Sequence, residues 1–189
     1  MLSSIECAKQ KIRLVVAGSL VPEDSSHADN TLEWLLRLEP DADDAIQLAS
    51  LAHDIDRAMD EIKVKRVDFG DYDAFKAAHA RNGAEILRPI LTVCGVEQHI
   101  VNEACRLVEV HEVGGDYRSD ILKDADSISY FDVNLPLYYR REGWDEAKWR
   151  SSWGYRRLSP RAKKIVKYIV HEDEGSMRLL QEVIQEGGT

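Results

Sequence analysis

Apolar residues recur at three- and four-residue spacing along almost the whole chain, and sustained period-two alternation is hard to find. That pattern reads as all-α. A first helix is expected from Ser3 or Ser4, with Ile5, Ala8, Ile12, Val15 and Val16 on one face and an end near Gly18 and Pro22. His27 is expected in a Ser-rich turn, followed by a short helix from Thr31 to Leu38 that Pro40 closes. Longer helices follow over Asp41 to Met59, Tyr72 to Val93 with a bend or stop near Pro89, and Glu97 to Val113 before Gly114 and Gly115. Another runs from Ser119 to about Tyr139, disturbed at its end by Pro136, and Ser159-Pro160 opens a last one. Between them, Asp60 to Asp71 reads as a loop or short extended segment that could act as a flap.

A chain of 189 residues has room for one domain with a real core, and 44% hydrophobic against 31% charged residues is ordinary for a folded protein. We expect residues 1–189 to form a single domain. The formal net charge of −9 gives no overall attraction for a nucleic-acid backbone or an anionic membrane, so neither is an expected partner. The basic, aromatic stretch with Trp144, Trp149, Trp153, Arg150, Arg156 and Arg157 is read as packing, in the core or in a homodimer. Cys7, Cys94 and Cys105 are odd in number and lack CxxC spacing, which points to reduced, buried thiols and a cytoplasmic location. Charges at Glu6, Lys9, Lys11 and Arg13 break the segment Leu2 to Leu20, which then reads as neither signal peptide nor membrane span.

The chemistry-bearing residues form an ordered set: His27, the pair His53-Asp54, His79, His111 and Asp126. Imidazole and carboxylate are donors that hold Zn, Mn or Fe ions, and a helical bundle can gather them across a hundred residues of sequence. Taken singly, each has another reading. His27 could be a surface or capping residue, His53-Asp54 a polar pair at a helix end, and His79 and His111 core histidines. Asp124 competes with Asp126 for the inward position, although Leu122, Ala125 and Ile128 favour Asp126. Neighbours on a helix point ~100° apart, so His53 and Asp54 reach one ion only where a helix edge faces a cavity.

The local strings LAHDIDRA around His53-Asp54, HARNGAEIL from His79, VEVHEVGG around His111 and LKDADSISYF around Asp126 together resemble the HD-domain superfamily of metal-dependent phosphohydrolases. The resemblance covers about residues 20–135 and leaves a Trp-rich helical extension over about 140–189. Both extra histidines make the chain similar to the binuclear branch, which includes symmetrical bis-nucleosyl tetraphosphate hydrolases. The resemblance implies an HD-domain helical bundle with the metal site in its core, where His27, His53, Asp54 and Asp126 hold one ion and Asp54, His79 and His111 the other. It also implies one or two divalent ions (Fe, Mn, Co, Zn or Ni), and hydrolysis of a nucleotide or other small phosphorylated substrate by metal-activated water. Asp54 and Arg57 would be catalytic, with Arg57 and, more weakly, Lys123 contacting phosphate. Arg57 could instead be a surface arginine paired with Asp56, Asp60 or Glu61. The cyclic-dinucleotide GYP signature is missing, the Asp60 to Asp71 segment has no counterpart, and substrate identity stays open. An HD-fold diiron oxygenase would use the same ligand set, and a non-catalytic nucleotide-binding regulator is the other alternative.

Overall fold

A computed structural model describes residues 2–187, and among them the regular structure is entirely helical. In chain order the α-helices are α1 (Ser4–Val16), α2 (Asp24–Leu38), α3 (Asp44–Ala52), α4 (Tyr72–Val93), α5 (Gln98–Val110), α6 (Tyr117–Ser129), α7 (Leu135–Glu142), α8 (Trp144–Arg157), α9 (Pro160–Val166) and α10 (Glu174–Glu186). Their starts follow local chemistry. The side chains of Ser3, Asp43, Asp71, Asp116, Ser159 and Asp173 each accept a backbone N–H from the first turn they precede. Gly95 and Gly114 have φ of 70° and 75°, where a β-carbon is disfavoured, and they end the turns after α4 and α5.

Helices α2 through α6 pack around one another, and α1 lies across α3 and α4. The centre they enclose includes Leu35, Leu48, Leu87, Leu107, Leu122 and Ile128, all fully or almost fully buried. The C-terminal helices add to it on one side, through Phe131 and Tyr155 with ring centroids 6.1 Å apart.

Several expectations need correction. α2 begins at Asp24 rather than Thr31, so His27 sits within a helix and not in a turn. The serines do not open the chain there, because Ser26 Oγ bonds back to Glu23 O at 2.9 Å and His27 N–H donates to Glu23 O at 2.8 Å. The helix expected over Asp41 to Met59 ends at Ala52, and a 3₁₀ turn over Ile55–Ala58 follows the His53-Asp54 pair. α4 runs on past Pro89 to Val93, with Leu87 and Leu91 buried on either side of the proline. Ahead of Pro136 the helix widens into a π turn over Tyr130–Asn134. Proline has no N–H for the Asp132 carbonyl and its ring crowds that oxygen, and the wider turn relieves both.

The cysteines also depart from expectation. Cys7 and Cys94 form a disulfide with Cα atoms 5.7 Å apart, and Cys105 alone is a buried free thiol. The packing of α1 against the end of α4 joins two positions 87 residues apart, a proximity that spacing in the chain does not reveal. No helix among the described residues is long and apolar enough to cross a membrane.

Candidate metal centre

Six side chains from five helices converge in the bundle centre, each at most 8% exposed: His27 from α2, His53 and Asp54 at the end of α3, His79 from α4, His111 capping α5, and Asp126 from α6. They fall into two adjoining groups. In one, donor atoms of His27, His53 and Asp126 all lie within 4.8 Å of one another, and in the other so do those of Asp54, His79, His111 and Glu112. His27 Nε2 is 3.1 Å from both Asp126 Oδ1 and His53 Nε2. Asp54 faces both groups. Its Oδ1 is 2.8 Å from His79 Nε2, and its Oδ2 is 3.7 Å from His53 Nε2 and 3.8 Å from His27 Nε2.

The opposite nitrogen of every ring is held. Nδ1 donates to Ser129 Oγ from His27 (2.9 Å), to Ser50 O from His53 (2.8 Å), to Asp56 Oδ2 from His79 (2.8 Å) and to Val108 O from His111 (2.7 Å). Partners of this kind fix the tautomer and turn the Nε2 lone pair inward, as metal-ligating imidazoles require. His111 Nε2 is buried with no hydrogen-bond partner, 3.2 Å from Glu112 Oε1. An orphaned inward-facing imidazole nitrogen grouped with Asp54, His79 and Glu112 fits a divalent cation. The helix break explains how adjacent residues share the site. His53 ends α3, and Asp54 at φ −103°, ψ 15° leaves helical geometry and turns toward α4.

Electrostatics describe a centre that holds protons where an ion would sit. Burial opposes charge on His53, but Asp54 and Asp126 outweigh it and push the imidazole up to about 9. His27 is lowered, chiefly by burial, and its Nε2 lies 3.1 Å from that of His53. Burial would raise Asp54, yet Arg57, His53 and Lys76 hold it well below the usual carboxylate range. Asp126 is likewise held down against burial by the adjoining His27 and His53 rings.

A cavity of about 180 Å³ opens onto this centre, lined by His27, Asp54 and Asp126 together with Arg57, Lys76, Arg141, Arg150, Tyr130 and Tyr138. Arg57 is in place, but its partners are not Asp56, Asp60 or Glu61. Its two Nη atoms lie 3.0 Å from Asp24 Oδ1 and 3.1 Å from Asp54 Oδ2. Lys123 is not brought to the cavity, being held by Asp120 Oδ1 and Val113 O at 3.1 and 3.2 Å. Asp124 turns away and accepts from the backbone and hydroxyl of Ser159, tying α6 to the start of α9.

The sequence reading missed Asp56, Lys76, Glu112, Arg141 and Arg150. Glu112 follows His111, Asp56 lies two residues after Asp54 and Lys76 one turn before His79, so nearness in the chain could have flagged them. Arg141 and Arg150 lie beyond the motif core and arrive only through tertiary packing. Glu112 pairs with Lys76 and, at 2.8 Å, with Arg157.

The fold and site define an all-helical protein with a buried His/Asp/Glu cluster that could hold metal. Residues 8–178 match the family model described as Domain of unknown function (DUF4202), and the chain belongs to that family. No curated protein and no solved structure matches the chain.

Proposed function

We propose that this protein is a binuclear metal-dependent phosphohydrolase of the HD type, acting on a nucleotide or other small phosphorylated substrate. The observation that carries the reading is Asp54: one carboxylate presents an oxygen to each of two histidine groups, at the wall of a cavity lined by four cationic side chains. His27, His53, Asp54 and Asp126 would hold one ion; Asp54, His79 and His111 would hold the other, with Glu112 in reach of it. Divalent ions so placed polarise a phosphoryl oxygen and lower the pKa of bound water.

The chain's own residues supply the rest. Arg57 bridges Asp24 and Asp54 and thereby orients the shared carboxylate, which departs from a role as a free phosphate ligand. Asp56, buried and bonded to His79 Nδ1, fixes the ring that meets Asp54 Oδ1. Tyr130 and Tyr138 wall the cavity and limit water. The cationic lining favours an anionic substrate despite the negative charge of the whole molecule.

The test is phosphate release from a panel of nucleotides, dinucleoside polyphosphates and sugar phosphates, with protein reconstituted separately with Mn, Fe, Co, Ni or Zn. Release that needs both a metal and His111 is expected. No release with any metal in the panel would overturn the reading for these substrates, and oxygen uptake by iron-loaded protein would replace it with the oxygenase.

A further inference from the structure

Charge matching within the cavity leaves one side chain over. Arg57 is paired with Asp24 and Asp54, Lys76 with Glu112, and Arg141 with Glu23 and Glu142, both at 2.7 Å. Arg150, from the middle of α8, also lines the cavity, yet it makes no close ion pair or hydrogen bond among the described residues, and the carboxylates that act on its charge, Glu112 and Asp126, do so from beyond ion-pair distance. Two rings hold it in place instead. Its guanidinium carbon is 4.7 Å from the ring centroid of Tyr130 and 4.7 Å from that of Trp153. Gly154, one turn further on, leaves room for it, since a β-carbon there would lie 3.3 Å from Arg150 Nη1.

A guanidinium that packs over aromatic rings can still present its edge, a planar fork of N–H donors suited to an oxyanion. Folding has placed this fork in the same cavity wall as Asp54 and Asp126 with no acid in ion-pair contact with it. We infer that Arg150 is the residue that binds the substrate's phosphate, so that the Trp-rich helix α8 completes the site. The inference rests on the phosphohydrolase reading for its ligand class, a tetrahedral phosphate oxyanion. It moves phosphate recognition from Arg57, which Asp24 and Asp54 already occupy, to a residue outside the His/Asp motif.

The experiment measures inorganic phosphate binding by calorimetry to zinc-loaded wild type, Arg150→Met, Arg150→Lys and Arg156→Met, with zinc content and helicity checked for each. Arg156 shares α8 but lines a different cleft. Loss of one charged hydrogen-bonding partner predicts at least roughly tenfold weaker phosphate binding by Arg150→Met at unchanged zinc content. Arg150→Lys should fall between, because it keeps the charge and loses the fork, and it serves alone should Arg150→Met fail to fold. Arg156→Met should bind as wild type. Wild-type affinity in both Arg150 variants, an equal loss in Arg156→Met, no phosphate binding by wild type, or equal binding of acetate would each overturn the assignment. The substrate panel is read separately, so metal-dependent release with Arg150-independent phosphate binding would sink this inference and leave the hydrolase reading standing.

Discussion

Asp54 couples the two halves of the centre because its oxygens point in different directions, Oδ1 to His79 and Oδ2 toward His27 and His53. Its removal is therefore expected to cost more than the removal of any one histidine. Asp54→Ala should lose metal from both groups, whereas His111→Ala should lose the ion of its own group and keep the helical fold; metal analysis with circular dichroism reads both. Wild-type metal content in Asp54→Ala would refute the bridging role. A subtler change tests the support around the ligands. Asp56→Asn keeps the shape beside His79 but weakens the acceptor that fixes its tautomer, and metal affinity should fall roughly 10- to 100-fold. Unchanged affinity in a chelator competition would mean that Asp56 is only structural. The six clustered residues were legible in the sequence because their identity and order mark them as metal-capable donors. Lys123 lies one turn before Asp126, but Asp120 and the Val113 carbonyl hold its ammonium away from the cavity.

Three of the six clustered side chains, His53, Asp54 and His111, sit where regular helix stops. His53 and His111 are both C-terminal caps, and the π turn over Tyr130–Asn134 begins directly after the α6 segment that holds Asp126. Periodicity found these helices because their apolar stripes are long, as in α5, where Val101, Ala104, Cys105, Leu107 and Val108 are all buried. It missed the early stop of α3 because Ile55 continues the apolar pattern in a 3₁₀ turn and is itself fully buried. α6 starts from a capping box in which Asp116 accepts from the Ser119 N–H at 3.1 Å and the Ser119 hydroxyl accepts from the Asp116 N–H. The Ser119 amide first and Arg106 second lower Asp116 from an ordinary 3.8 to about 2. A depressed carboxylate stabilises the folded state above its unfolded pKa and loses that contribution as pH falls through the folded value. Metal-free protein should thus weaken as pH drops from about 4 toward about 2. Asn caps helices as well as Asp but does not titrate, so Asp116→Asn should flatten that part of the acid unfolding curve. An identical curve would remove Asp116 from the account.

At the scale of the molecule, the Cys7–Cys94 bond ties α1 to the end of α4 across 87 residues of sequence. A native crosslink over a long loop typically contributes ~2–4 kcal/mol, mainly by restricting the unfolded chain, though the entropic account depends on the model. Reduction should lower the melting midpoint by roughly 5–15 °C for a domain of this size. The Cys7→Ala/Cys94→Ala double variant should melt at that lower temperature with or without reductant. A wild-type midpoint insensitive to reductant would show that the bond adds nothing.

What the sequence by itself determined is the set of local facts: an all-helical chain, most helix starts, and the order of six metal-capable side chains. These depend on periodicity, capping chemistry and donor type, which act over a few residues. Only the tertiary structure decided that Cys7 meets Cys94, that Arg57 turns to Asp24, and that α8 folds back to set Arg150 in the cavity wall. The Arg57–Asp24, Cys7–Cys94 and Arg141–Glu23 contacts join residues 33, 87 and 118 positions apart. Pairings at such distances are selected by how whole helices share one apolar core, and no short stretch of sequence contains that information.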